Sequence, residues 1–390
     1  MQEQKVNKNT DFLVLLYGEL DYDGRVLRMV KILNNLGNVT VLDIADKIPS
    51  RYIEGLAFER ISLSLPKQYG KLVEHLCFWK KVIQATFIMR PKVIVAEDYF
   101  TLFPAVIAAK LNRLPLIYDA HELIIPTQGL KMTKRDLFWY YLERISIHHA
   151  TLVIAANKER AEIMKNYYQL KRTPIVMRNI PQKYNLKSEE YNKTEYLSLL
   201  SVLESDSVLV LYQGNVDCTR GLERFVDAMN YLPPHFKLVI VGSGPCLDWL
   251  KDYAKKLEQE KRFLAFGRVP NFLLLSITQK ADLGIVSYPY EGLNNLYCSP
   301  NKLYEYAQAG LPVVATDQPP LKYLVEKYDI GGLVGRYDSP QRIAAIIQKV
   351  ALRGKEGYWK QLQKFVEENS FEEEAEKIKT EIKNIIGKGV

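Results

Sequence analysis

The chain has 390 residues, 47% hydrophobic, 25% charged and 11% aromatic. That length and balance predict two folded domains of about 180 residues each and exclude disordered or collagen-like classes. The net charge is +8, all of it in residues 1–200, which hold 29 Lys and Arg against 21 Asp and Glu; the remainder has 24 of each. A basic half predicts an anionic partner such as a phospholipid surface or a phosphorylated lipid, although a solvated basic surface gives the same count. No nucleic-acid-binding signature is legible, so nucleic acid is not an expected partner. The cysteines, Cys77, Cys218, Cys246 and Cys298, have neither zinc nor redox spacing. No disulfide framework is therefore expected, and the default setting is reducing and cytoplasmic. No apolar run approaches the ~20 residues that span a bilayer. The residues before Phe12 are polar, unlike a signal peptide.

In chain order, short apolar runs alternate with longer helical stretches. Phe12–Tyr17, Val39–Asp43, Val93–Ala96, Leu116–Tyr118, Leu152–Ala155 and Ile175–Arg178 read as strands. Several are apolar throughout, as in a parallel sheet buried on both faces. Gly24–Leu36 reads as an amphipathic helix with Val26, Met29, Val30 and Leu33 on one side and Asp23 as its cap. A polar stretch from Gln182 to Ser198 has linker composition. The pattern resumes at Val208–Tyr212, Lys237–Val241, Phe263–Phe266, Leu283–Ser287 and Val313–Ala315, and Phe371 to Ile386 reads as a terminal amphipathic helix. The reading is two doubly wound α/β domains facing across a cleft: residues 1–185, a linker 186–200, residues 201–370, and the helix 371–390. Ligands of such sheets sit beyond the carboxyl ends of the strands. The loops after Tyr17, Ala96, Tyr118, Tyr212, Val241, Phe266 and Ser287 are therefore where chemistry is expected.

Two segments of the second half suit an anion. After Tyr212 comes Gly214-Asn215-Val216-Asp217-Cys218-Thr219-Arg220-Gly221 and then a helix. Glycine allows close backbone approach, helix amino ends favour negative charge, and arginine can bind two phosphate oxygens. The same residues also fit an ordinary strand-to-helix turn with a surface arginine. The second segment runs from Ser299 to Ala315. Ser299 or Pro300 opens a helix, Gly310 ends it, and Pro312 blocks its continuation. Lys302 falls in the first turn, where the helix dipole disfavours a cation unless an anion binds too. Glu305, one turn on, can accept two hydrogen bonds from adjacent hydroxyls, or be a solvated helix residue.

These segments, Gly214…Arg220-Gly221 and Pro300-Asn301-Lys302…Glu305…Ala309-Gly310-Leu311-Pro312, resemble the donor-site signature of the group 1, family 4 retaining glycosyltransferases. The resemblance extends in order over Asp23-Gly24-Arg25-Val26, Tyr118-Asp119-Ala120-His121-Glu122, Asn179-Ile180-Pro181 and Gly267-Arg268-Val269. It implies the GT-B fold, two facing Rossmann-like domains, and transfer of a sugar from a nucleotide-diphosphate donor to an acceptor hydroxyl with retention. Cell-surface polysaccharide or glycolipid synthesis is the implied setting. The alternatives are an inactive GT-B partner subunit or a GT-B nucleotide-sugar epimerase.

Residue by residue, the resemblance makes Gly214, Asn215 and Arg220 the diphosphate loop, although the family often has arginine where this chain has Asn215. Asn301 and Lys302 join that site, and Glu305 matches the glutamate that holds the ribose hydroxyls. The family's first glutamate falls at Tyr297. Arg268 and Val269 match the loop beside the nucleobase, and Gly18 matches the loop that lets the sugar approach backbone. His121 matches a histidine near the donor sugar, giving His121, Arg220 and Lys302 as the catalytic set. Asp98 is a weaker acceptor-side candidate.

No cofactor and no metal are expected. Asp21-Tyr22-Asp23 has the spacing of a metal-binding acidic pair, but Asp23 fits the helix cap. Gly242-Ser243-Gly244-Pro245 lacks the third glycine of a dinucleotide fingerprint. His148 and His149 read as structural, and His75 and His235 have no constellation. The basic, aromatic stretch Lys131–Tyr141, and Lys71–Arg90 with Phe78 and Trp79, suit either a core or an anionic membrane surface. A lipid-linked or saccharide acceptor and peripheral attachment to the inner face of the plasma membrane are the expected partner and place.

Overall fold

The computed structural model describes residues 10–45, 56–127, 132–182, 206–269 and 271–387. The expected linker 186–200 and Lys131 lie outside them. The chain divides into two units, Met1–Asn179 with Glu372–Val390, and Ile180–Phe371.

The first unit is a seven-stranded sheet of β1 (Phe12–Leu16), β2 (Val39–Ile44), β3 (Phe58–Leu63), β4 (Val93–Glu97), β5 (Leu116–Ala120), β6 (Leu152–Ala155) and β7 (Ile175–Val176). Its spatial order is β3-β2-β1-β4-β5-β6-β7 and every pairing is parallel. The helices are α1 (Gly24–Asn34), α2 (Lys71–Met89), α3 (Tyr99–Asn112), α4 (Lys134–Ser146) and α5 (Lys158–Tyr168). β1 and β4 are buried at every residue, which explains the apolar runs Phe12–Leu16 and Val93–Ala96; Glu97 closes β4. The α1 stripe of Val26, Met29, Val30 and Leu33 is fully buried, each such side chain contributing roughly 1.5–3 kcal/mol. Asp23 caps α1, accepting from the backbone amides of Arg25 and Val26. Asp21, two residues before, is bound instead by Arg60, so the two carboxylates of that acidic pair serve separate local tasks.

The second unit holds β8 (Val208–Gln213), β9 (Phe236–Val241), β10 (Phe263–Ala265), β11 (Leu283–Val286), β12 (Val313–Thr316) and β13 (Gly331–Val334) in the order β10-β9-β8-β11-β12-β13, again all parallel. Its helices are α6 (Glu223–Met229), α7 (Leu247–Tyr253), α8 (Lys255–Gln259), α9 (Asn271–Lys280), α10 (Leu293–Leu296), α11 (Asn301–Gln308), α12 (Pro319–Tyr328) and α13 (Pro340–Glu367). The last helix, α14 (Phe371–Ile386), packs from Glu372 onward with the first unit. There Ile378 and Ile382 are buried, and Glu374 accepts from the backbone amide and guanidinium of Arg178.

Cysteine pairing departs from the expectation of unpaired thiols: Cys218 and Cys246 form a disulfide, with 5.3 Å between their Cα atoms. Their separation of 28 residues hides the pairing in the sequence. β8 and β9 are neighbours, so the loops after them lie side by side, joined by Val216 N–H to Ser243 O (3.0 Å) and Cys246 N–H to Val216 O (3.2 Å).

Candidate functional site

Each sheet reverses its winding direction once, at β1/β4 and at β8/β11. Parallel sheets bind ligands at the carboxyl edge of such a reversal. In the second unit that edge carries Gly214 after β8 and Ser287 and Tyr288 after β11. Gly214 has φ +118°, which a residue with a Cβ adopts only under strain, and a Cβ there would lie 2.8 Å from Lys302 Cε. The glycine therefore lets the ammonium of α11 lie over bare backbone.

Arg220 is fixed from two sides. Its guanidinium stacks on the Tyr288 ring at 4.2 Å, and its carbonyl accepts from Ser287 Oγ. Its Nη1 is buried and has no hydrogen-bond partner among the described residues. Leaving such a donor unpaired costs about 1–3 kcal/mol or more, so an anion is the natural complement. Lys302 is half-buried, its Nζ 5.2 Å from the Tyr212 ring. Burial and then the nearby charge of Arg220 pull its ammonium down to about 8, against the attraction of Glu305. Two cations thus face a single carboxylate, a local excess of positive charge at the helix start.

Glu305 is half-buried and accepts a 2.8 Å hydrogen bond from Gln213 Nε2. Asn215 is exposed, its carbonyl accepting from the Tyr212 hydroxyl at 2.7 Å. Asn301 opens α11, and Tyr297 ends α10 just before it. Arg268 is exposed and donates through Nε to Ser243 Oγ at 2.8 Å, with Val269 half-buried beside it. All these residues belong to the second unit, and Gly214, Arg220, Lys302 and Glu305 share one edge of its sheet.

In the first unit, Leu16 pairs with Glu97 and Glu97 with Asp119, so one edge carries Gly18, Glu97, Asp98, Asp119 and His121. His121 Nε2 lies 2.8 Å from Glu97 Oε2 and 3.7 Å from Asp119 Oδ2, while Nδ1 lies 3.9 Å from Asp23 Oδ2. Burial acts to lower the proton affinity of His121, but the Glu97 hydrogen bond and the charges of Asp119 and Glu97 outweigh it and push the pKa up to about 9. Burial likewise raises the Glu97 carboxyl above the ordinary carboxylate range. Asp98, also raised by burial, holds φ +63° at the amino end of α3, and its Oδ1 is buried without a hydrogen-bond partner among the described residues. Backbone strain of this kind clusters at functional positions.

Arg25, marked in the sequence only as part of Asp23-Gly24-Arg25-Val26, organises this edge. It donates to both oxygens of Asp119 at 2.9 and 2.6 Å, and to Met177 O and Asn179 Oδ1. Glu97, Asp119 and His121 bring ligand atoms within 4.8 Å of one another, a spacing a divalent cation accepts. Each Asp119 oxygen already accepts one hydrogen bond from Arg25, so the guanidinium is a resident cation beside this cluster. His75, expected to stand without a constellation, lies in an aromatic cluster. It stacks 4.5 Å from Tyr17 and meets Trp139 edge-on at 4.7 Å, with Phe100 5.9 Å away. The aromatics of α2 and α4 divide: Phe78, Trp139 and Tyr140 are core, whereas Phe87, Phe138 and Tyr141 are exposed.

Comparison with known proteins gives this arrangement a family. The model for group 1 glycosyl transferases matches residues 201–369, and that for glycosyltransferase family 4 matches residues 26–177. An uncharacterized glycosyltransferase of Methanocaldococcus jannaschii is 23% identical over 263 residues, which span 66% of this chain and 65% of that relative, just under two thirds of its length. Among solved structures, Anabaena HepE in complex with UDP and glucose aligns over 96% of this chain and 99% of its own, with 18% identity and a TM-score of 0.74. WaaG, a glycosyltransferase involved in lipopolysaccharide biosynthesis, aligns over 94% and 98%, with 15% identity and a TM-score of 0.70. Two parallel doubly wound sheets and two adjacent domain matches lead to one conclusion: the chain belongs to the group 1, family 4 glycosyltransferases of the GT-B fold.

Proposed function

We propose that the protein transfers a sugar from a nucleoside-diphosphate donor to an acceptor hydroxyl, with retention at the anomeric carbon. The observation that carries this is the pair Arg220 and Lys302 beside the bare backbone of Gly214, with Arg220 Nη1 buried and unbonded among the described residues. In the reaction the bond from the anomeric carbon to the phosphate oxygen breaks, and a bond to the acceptor oxygen forms on the same face. The acceptor's proton passes to the leaving phosphate. The charge developing on that phosphate is what must be stabilised, and fixed cations of low mobility do this best. Arg220 is held by its stacking, so little reorganisation is needed when charge appears. Glu305 would accept both ribose hydroxyls, and Arg268 and Val269 would flank the base. That HepE binds UDP is consistent with such a donor. In the first unit, His121 offers a protonated imidazole to a substrate oxygen, and Asp98 is the acceptor-side carboxylate.

We further propose a lipid-linked or saccharide acceptor, with α2 and α4 meeting an anionic membrane. Leu72, Leu76, Phe87 and Ile88 of α2 and Phe138, Tyr141 and Ile145 of α4 are exposed among lysines and arginines. Salt-reversible sedimentation with anionic vesicles tests that face; no binding at low salt contradicts it. Among the described residues, no helix is long and apolar enough to cross a membrane.

A second reading, an inactive partner subunit, is favoured by Tyr297 in place of the family's first glutamate and by Asn215 where the family often has arginine. Turnover of UDP-, GDP- and ADP-sugars, read as release of the nucleoside diphosphate, separates the two. Catalysed release from one donor supports transfer; tight binding without release supports the second reading. Glu305→Ala should weaken nucleoside diphosphate binding by about tenfold or more, the loss of hydrogen bonds to a charged acceptor.

A further inference from the structure

We infer that Gln213 is a positioning residue for Glu305, and through it for the ribose of the donor; this rests on the reading of Glu305 given above. Gln213 is the last residue of β8 and only 3% exposed. Its amide nitrogen faces Glu305 Oε2 at 2.8 Å, and its amide oxygen faces the hydroxyl of Thr278 at 2.8 Å. A carboxylate only accepts, so the amide must turn its NH2 toward Glu305, and the oxygen then falls to Thr278. Thr278 is 2% exposed, and its single hydroxyl proton is shared between Gln213 Oε1 and Leu274 O, the latter 2.6 Å away within α9. The backbone amide of Gln213 donates to the hydroxyl of Tyr306, the residue after Glu305. Strand and helix are thus tied at two consecutive positions, once through backbone and once through side chain.

The choice of glutamine has a chemical consequence. A lysine or arginine in this place would consume the carboxylate's charge in an ion pair. An amide fixes one oxygen and leaves that charge for the ligand. Glu305 Oε1 makes no hydrogen bond among the described residues, so it is the oxygen free for a hydroxyl. A glutamate pinned in one rotamer loses little side-chain entropy on binding ribose, whereas an unpinned one pays for ordering. Thr278 and Gln213 therefore preorganise ribose recognition by acting through Glu305.

The test is binding of a nucleoside diphosphate (the tightest of UDP, GDP and ADP) and of its 2′,3′-dideoxy analogue, by calorimetry, to the full chain. The wild type should prefer the ribose form by about tenfold or more, the value of hydrogen bonds to a charged acceptor. Gln213→Leu should lose most of that preference while binding the dideoxy form as the wild type does. A packing defect would weaken both ligands together, and that result overturns the inference. Thr278→Val, which spares Gln213, should lose part of the same preference. It provides the measurement should Gln213→Leu fold poorly; an unchanged preference counts against the chain. Glu305→Ala separates the two levels of the argument. If it keeps the preference, the ribose reading falls. If it loses the preference while Gln213→Leu retains it, only the positioning role falls.

Discussion

Lys302 makes diphosphate binding pH-dependent. In the protein alone, burial and Arg220 hold its ammonium at about 8. A bound diphosphate supplies the missing countercharge and returns it toward the ordinary lysine value of about 10.4. A group whose proton affinity is higher in the complex takes up a proton on binding. Binding is then strongest below the lower value and weakens as pH rises past it. Full restoration would strengthen binding by about 3 kcal/mol, but the side chain is half-buried and solvent screens part of this. The working expectation is a dissociation constant about tenfold weaker at pH 9 than at pH 7, because only about a tenth of Lys302 then carries its proton. The phosphate's own second ionisation lies near 6 and is complete over this range. Calorimetry at pH 8.5 in two buffers of different ionisation enthalpy should show net proton uptake. Lys302→Met should bind more weakly at pH 7 and show a flat profile. Equal wild-type affinity at pH 7 and 9, with no proton uptake, would refute the placement of Lys302 against the diphosphate.

Two further predictions concern the surroundings of the sites. His121, raised to about 9, contributes stability that is complete below its ordinary value near 6.5 and is lost as pH rises through 9; His121→Gln should flatten the melting temperature across that window, and a variant profile parallel to the wild type contradicts the ion-pair account. The Cys218–Cys246 disulfide closes a loop of 28 residues, for which chain entropy gives about 3–4 kcal/mol; reductant or Cys218→Ser should lower the denaturation midpoint of the second unit, and an unchanged midpoint in both cases argues that the bridge adds nothing.

Much of the fold was legible because parallel strands buried on both faces must be apolar over most of their length, as β1, β4 up to Ala96 and β8 up to Tyr212 are. Two strands escaped for physical reasons. β3, Phe58–Leu63, is half-buried along its length and mixes Glu59 and Arg60 with apolar residues. β13 opens on Gly331 and Gly332, which read as a turn. The close fit of Gly331 to the backbone of Val313 in β12 is what demands glycine there. Local spacing picked out Gly214, Arg220, Lys302 and Glu305, since each sits at a strand end or helix start with its own signal. Nothing local marks Gln213 or Thr278. Their meaning arises only when β8, α9 and α11 converge, and the same non-local packing joined Cys218 to Cys246. Arg25 resembles any first-turn residue of an amphipathic helix until β5 and β7 bring Asp119 and Met177 to it.

The central claim is that cations on one edge of the second sheet hold a nucleoside diphosphate. A crystal structure of the protein with the tightest of UDP, GDP and ADP tests it most directly. The account predicts diphosphate oxygens within hydrogen-bond distance of Arg220 Nη1 and Lys302 Nζ, over the backbone of Gly214, with the ribose hydroxyls on Glu305. A diphosphate bound elsewhere, leaving Arg220 Nη1 unpartnered, would contradict it.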